Sequence, residues 1–191
     1  MSQINETTKY YLFYKLVPDI LDLNLESESK ISENYKLEVF TPSIFRIIPR
    51  GFCNITAIYF WILYLLKILR GRESYSIFLV YQKESNKLIH FTFVLSKSLK
   101  FPFMGKYDVN IGPVYTDINF RGRGITRFVV NSILQIYGIK RTYWWITSES
   151  NTISQIVAEK LGFTLVGYGK KERRFLMSKY IIEKYIKMTS E

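Results

Sequence analysis

Cysteine and histidine are nearly absent from the 191-residue sequence, which has only Cys53 and His90. A lone thiol excludes an intramolecular disulfide framework and fits a reducing compartment. One residue of each kind cannot make a zinc-ligand cluster of the usual spacing, so no metal is expected. No Pro/Gly-rich linker, low-complexity tract or internal repeat divides the chain. The length suits one well-buried core and is short for two. Residues 1–9 are polar and lack the basic and apolar regions of a signal peptide, so the expected location is the cytoplasm. Acidic residues are also scarce, 16 against 27 basic ones, giving a net charge of +11. That excess favours an anionic partner (nucleic acid, an anionic membrane surface or a phosphorylated small molecule) without choosing among them.

Long apolar runs are missing too. The uncharged apolar run ITAIYFWILYLL at residues 55–66 falls short of the roughly 20 residues a membrane span needs. Lys67, Arg70 and Arg72 close it. It reads as a core helix over residues 54–69, capped by Asn54 and ended by Gly71. The other reading is a helix lying in the membrane interface on the inner face, with Tyr59, Trp61 and Tyr64 at headgroup level and the basic residues on anionic lipid.

What is abundant is apolar and aromatic, 48% and 17% of residues, so disorder is excluded. Periodicity and punctuation predict strands at 10–17 and 37–40, the helix at 54–69, and a hairpin of 75–81 and 88–95 across a polar loop. A strand at 108–116, a helix at 121–137 stopped by Gly138, a strand at 142–147 and a helix at 152–161 closed by Gly162 follow. Two strands, 164–169 and 173–178, end the pattern, and residues 180–187 add a helical turn or two. A charged patch occupies residues 26–30. The order is that of an α/β or α+β single domain on a central mixed sheet.

The most informative stretch is DVNIGPVYTDINFRGRGITRFVVNSIL. A strand runs into a short basic loop, RGRG, which opens directly into an apolar-periodic helix. The first turn of a helix has unpaired N–H groups and partial positive charge, which suits a phosphate. Gly122 and Gly124 permit close backbone approach, and Arg121 and Arg123 add counter-charge. The spacing matches neither a P-loop nor a dinucleotide-binding fingerprint.

Arg121-Gly122-Arg123-Gly124-Ile125-Thr126 resembles the R/Q-x-x-G-x-G/A acyl-CoA signature of the GNAT superfamily of acetyl-CoA-dependent N-acetyltransferases, with Thr126 in place of Gly or Ala. A second segment, NTISQIVAEKLGF at residues 151–163, resembles the family's Asn, helix and closing L-G-F. The likeness covers residues 75–178 well and 1–73 in outline. It implies one acyltransferase domain over residues 1–191, with a variable part at 1–73 and an acetyl-CoA-binding core at 74–179. It also implies a mostly antiparallel sheet splayed between the family's fourth and fifth strands.

The implied chemistry is direct attack of an amine on the thioester, with no covalent acyl-enzyme. Pantetheine would pair with backbone at Val114 and Thr116. The phosphates would meet the Arg121–Thr126 loop, including the amides of Arg123, Gly124, Ile125 and Thr126, while Asn151 and Ser154 would touch the pantetheine arm. Ala158 stands where the family often carries a thiolate-protonating Tyr, leaving Tyr115, Tyr168 or a water for that role. Asn110 stands where some members place a Glu base, leaving Asp108 and His90 as acid/base candidates. A weaker likeness, in FPFM…DVNIGPVYT…FRGRGI, is to GNAT proteins of bacterial surface-polysaccharide synthesis, which implies an amino-sugar acceptor, nucleotide- or lipid-linked. Lys97, Lys100 and Lys106, beside a rigid Phe101-Pro102-Phe103 platform, would meet its phosphates. The other readings are acylation of a protein, peptide or small amine, a basic nucleic-acid-binding module, and a non-catalytic membrane-associated GNAT-like protein. A homodimer is left open.

Overall fold

The computed structural model describes residues 10–18, 31, 33–174 and 177–186. The charged patch at 26–30 and the polar stretch at 1–9 lie outside them. In chain order the elements are β1 (Tyr10–Leu16), β2 (Tyr35–Phe40), α1 (Ile55–Leu69), β3 (Tyr75–Gln82), β4 (Leu88–Ser96) and β5 (Val109–Thr116). A 3-10 turn (Ile118–Phe120) leads to α2 (Ile125–Tyr137), β6 (Tyr143–Ser148), α3 (Thr152–Lys160), β7 (Thr164–Arg174) and β8 (Met177–Tyr185). The strands form one open sheet in the order β2-β3-β4-β5-β6-β1-β7-β8. Every neighbouring pair is antiparallel except β5 and β6.

The two-residue period of a strand sends its side chains to two separate cores. Leu12, Tyr14, Phe78, Val80, Tyr143 and Trp145 pack with α2 and α3, through Val129, Ile133 and Ala158. Phe13, Ile77, Leu79, Phe93 and Trp144 pack on the other face with Ala57, Phe60 and Tyr64 of α1. Strands β3 and β4 are covered on both faces, which is why SIFLV and FTFVL read as nearly continuous apolar runs.

Helix α1 starts where expected: the Asn54 side chain accepts from the Thr56 amide at 2.8 Å. Gly71 follows its end with φ +59°. The helix is covered on one side only. Ile55, Ile58, Ile62, Leu66 and Leu69 recur at three- and four-residue intervals and are all exposed, Ile55 by 83%. Among the described residues no helix is long and apolar enough to cross a membrane.

Two expectations are corrected. The expected helical turns at 180–187 are not found over the described residues 180–186: 180–185 continue β8, whose backbone pairs with β7 along the hairpin, and 187 lies outside the described residues. The open edge of β7 offers unpaired N–H and C=O groups, and alternation sends Tyr180 and Ile182 onto the α1-side core. Helix α2 begins at Ile125 rather than 121, because Gly122 and Gly124 take left-handed φ values of +77° and +75° that interrupt a right-handed helix.

The feature that positions the site lies between β5 and β6. They pair only at Val109↔Tyr143 and Asn110↔Trp144, and then part. Beyond that point β6 is held by β1 and β5 by β4. In the β4–β5 register Thr92 faces Val114 and Val94 faces Ile111, so Gly112 and Pro113 together oppose Phe93. That extra residue is a β-bulge, which bends β5 away from its neighbour.

Candidate active site

The diverging strands open a cleft of about 910 Å³. Residues 110–116 of β5 and 145–148 of β6 form its walls, and the N-terminal ends of α2 and α3 lie at its α2/α3 face. It continues through the sheet to the α1 face, where Tyr11, Phe60, Lys100, Phe101 and Tyr180 line it.

At the α2 end, Gly124 is the residue preceding the helix, at φ +75° and ψ 2°. The Phe128 amide already bonds to Gly124 O, so helix geometry leaves the amides of residues 125–127 without an intrahelical partner. A side chain at Gly124 would meet only Ile31 Cδ1, at 3.4 Å. Arg121 Nε donates to Thr116 O at 3.1 Å, tying the turn to β5. Arg127 donates to Lys160 O at 3.1 Å, tying α2 to the end of α3. Arg123 does not line the cleft; its guanidinium lies 5.1 Å from the centre of the Phe120 ring.

Asn151 and Ser154 line the cleft and also build it. The Asn151 carboxamide caps α3 by accepting from the Ser154 amide at 3.1 Å, and Ser154 Oγ accepts from Trp145 Nε1 at 3.0 Å. Val114, Tyr115 and Thr116 line the opposite wall. Tyr115 is half exposed, with its ring stacked on Phe91 at 5.3 Å.

The other two acid/base candidates lie elsewhere. His90 is fully buried within the sheet, its ring nitrogens 2.8 Å from Thr116 Oγ1 and 2.7 Å from Thr92 Oγ1. Burial pushes its pKa down to about 3, so it is a neutral, satisfied core residue that does not line the cleft. Asp108 Oδ2 accepts from the Gly105 amide and from Trp144 Nε1, both at 2.8 Å, and fastens the 105–108 loop to β6 outside the cleft. Ala158 is fully buried against the α2-side core, with no room for a larger side chain.

Three features of the cleft come from the structure, two of them at residues the sequence already singled out, Asn110 and Lys100. Asn110, at the last β5–β6 pair, lines the cleft, and its Oδ1 is buried without a partner. Its Nδ2 points to Gly112 O at 3.4 Å, which fixes the amide's orientation because two carbonyl oxygens cannot bond each other. Lys100 sits under the sheet with its Nζ 4.7–5.8 Å from the ring centres of Tyr59, Phe60, Phe101 and Tyr180. Among the described residues no acidic one lines the cleft. The Gly112-Pro113 pair was the legible signal for the bulge, since proline cannot donate to a ladder. The Phe101/Phe103 platform is core rather than surface, Phe101 stacking on Tyr180 and Phe103 edge-on to Trp144. Among the described residues no group of three or more His, Cys, Asp or Glu side chains could hold a metal.

No protein-family model and no curated protein matches the sequence. Among solved structures, the fold matches a GCN5-related N-acetyltransferase from Sphaerobacter thermophilus with TM-score 0.52 and 13% identity over 84% of this chain. It also matches a GCN5-related N-acetyltransferase-like protein from Streptococcus suis, with TM-score 0.53 and 11% identity over 86% of this chain. The chain has the GNAT fold. It spans 50% and 61% of the lengths of those two structures. In the GNAT architecture found here, the residues fit an acyl-CoA. The α2 amides and left-handed glycines offer a phosphate cradle, and Arg121, Arg127 and Lys160 line the same cleft with no carboxylate among the described residues.

Proposed function

We propose that this chain is an N-acetyltransferase that uses acetyl-CoA to acylate a primary amine. The observation that carries the reading is the split between β5 and β6, which opens directly onto the N-terminus of α2 and its two left-handed glycines. Acetyl-CoA supplies the acyl group as an activated thioester. The amides of Gly124 to Thr126 hold its phosphates, and backbone of Val114 and Thr116 aligns the pantetheine arm beside Asn151 and Ser154. A β5 amide in the split polarises the carbonyl, an interaction worth about 3–4 kcal/mol in comparable sites. Tyr115 is the one acid/base candidate that lines the cleft, and we assign it the proton that goes to the departing thiol. With no carboxylate there, the acceptor is used as its free amine, which an α-amino group of pKa near 8 supplies readily. Catalysis then rests on positioning.

For the acceptor we favour an amino sugar, nucleotide- or lipid-linked, as in surface-polysaccharide synthesis. The exposed aliphatic stripe of α1, ending at exposed Arg70 and Arg72, supports peripheral contact with an anionic bilayer. The test is a thermal-shift titration with acetyl-CoA, followed by free-thiol release with amino-sugar nucleotides, peptides and polyamines. Thiol release with peptides alone removes the sugar reading. No acetyl-CoA shift, with salt-sensitive binding to nucleic acid, removes the enzyme.

A further inference from the structure

The α1 side of the cleft has a charge that no described residue balances. Lys100 lies on the sheet face opposite α2 and α3, its ammonium surrounded by four aromatic rings. Its own carbonyl accepts from the Tyr180 amide at 2.9 Å, so the backbone under this lysine is fixed to β8. No ion pair among the described residues includes it. A second cation, Lys171, stands 5.7 Å from the centre of the same Tyr180 ring and is equally without an acidic partner. Beside them the Tyr59 hydroxyl is buried with no hydrogen-bond partner.

Burying an unpaired ammonium is costly, and ring quadrupoles offset only part of that cost. The strain is visible in its acidity: burial first, and Lys171 second, push the Lys100 pKa down to about 8. The other basic residues on the cleft wall, Arg121, Arg127 and Lys160, belong to the α2/α3 face, where the donor's phosphates go. Lys100 is therefore the one cationic side chain that lines the cleft on the acceptor side among the described residues.

We propose that Lys100, backed by Lys171, is an oxyanion subsite, so that the acceptor is a primary amine that also carries a phosphate or carboxylate, and polycationic amines are rejected. This rests on the acetyltransferase reading and narrows it. A phosphate or carboxylate at Lys100 neutralises this half-buried charge on the cleft wall. A polyamine or aminoglycoside would bring further positive charge into a cleft that has no carboxylate to receive it.

The test uses the full chain with acetyl-CoA and two matched pairs of amines, glucosamine 6-phosphate against glucosamine and γ-aminobutyrate against butylamine, with spermine as the polycation. Phosphate against carboxylate preference is read from the two anionic members. We expect thiol release at least 10-fold faster, at equal subsaturating concentration, with the anionic member of at least one pair, and none with spermine. Lys100→Met should raise KM for the anionic amine about 10- to 100-fold, the size of a lost charge-assisted hydrogen bond, and change KM for the neutral amine at least several-fold less. A second readout needs neither variant nor turnover. With lysine 13C-labelled at Cε, the Lys100 signal of the wild-type chain saturated with CoA should shift with the anionic probes and not with glucosamine or spermine. Equal rates for anionic and neutral amines, or a Lys100 signal that ignores both anionic probes, overturns the proposal. If CoA itself fails to bind, the acetyltransferase reading falls, and the same Lys100 titration without CoA still decides the subsite.

Discussion

Gly124 is the residue at which cofactor binding and folding can be separated. Its left-handed backbone costs an L-residue about 1–2 kcal/mol, and the only atom near a new Cβ is the end of the flexible Ile31 side chain. Gly124→Ala should therefore lower the melting temperature of the ligand-free chain by roughly 2–8 °C, at 2–4 °C per kcal/mol for a domain of this size. Acetyl-CoA at 100 times its Kd should stabilise the wild type by about 2.7 kcal/mol, a rise of roughly 5–11 °C. Gly124→Glu adds a carboxylate at the mouth of α2. Like charges there repel by about 4 kcal/mol for a 4 Å separation and an effective dielectric constant near 20, more than the whole ligand stabilisation. The variant should thus remain folded by circular dichroism, melt near the Ala variant, and show no acetyl-CoA shift. A Glu variant whose ligand shift equals that of the wild type would refute the phosphate position and, with it, the reasoning from α2.

Asn110→Leu removes a buried carbonyl that has no partner, so chemical denaturation should find it as stable as the wild type or up to about 2 kcal/mol more so, while kcat drops at least tenfold. His90 has its pKa depressed from 6.5 to about 3, so the unfolded chain takes up a proton that the folded one refuses as pH falls below 6.5. Urea unfolding should show this term costing about 2 kcal/mol between pH 7.5 and pH 5, and His90→Gln should lack it. For α1, sedimentation with vesicles containing phosphatidylglycerol should carry the chain down, and Ile58→Ser/Ile62→Ser should reduce that binding about tenfold or more. Recovery of the double variant equal to wild type would remove the membrane contact.

The residues that set local conformation were readable in the sequence. Asn54, Gly138 and Gly162 stand at the helix ends their chemistry predicts, and the strand–RGRG–helix succession marks the α2 mouth. Roles that depend on what packs overhead were not readable. Asp108 has the residue type of a base, yet Trp144, 36 positions away, claims its carboxylate. His90 looks like a titrating group until Thr92 and Thr116 close around it. The β8 segment carries a helix-like mixture, YIIEKYIK, and only the open edge of β7 turns it into a strand. Lys100 reads as one lysine in a basic loop. Its rings come from α1, from its neighbour Phe101 and from β8, over distances that no local pattern spans.

These long-range contacts give the split its polarity. Among the described elements the sheet has one long helix on one face and two on the other, and the cleft is a passage between environments of different charge. On the α2/α3 face, positive charge comes from amides and from arginines already tethered by Thr116 O and Lys160 O, a rigid arrangement that suits the invariant phosphates of a coenzyme. On the α1 face it comes from a single lysine among aromatic rings, whose charge is balanced only by what enters. On the proposed reading, the first arrangement would bind the same group whatever the acceptor, and the second would make occupancy conditional on the acceptor's own charge. Substituting along α2 should therefore change affinity for acetyl-CoA with every amine alike, whereas substituting around Lys100 should reorder the amines and leave acetyl-CoA binding as it was.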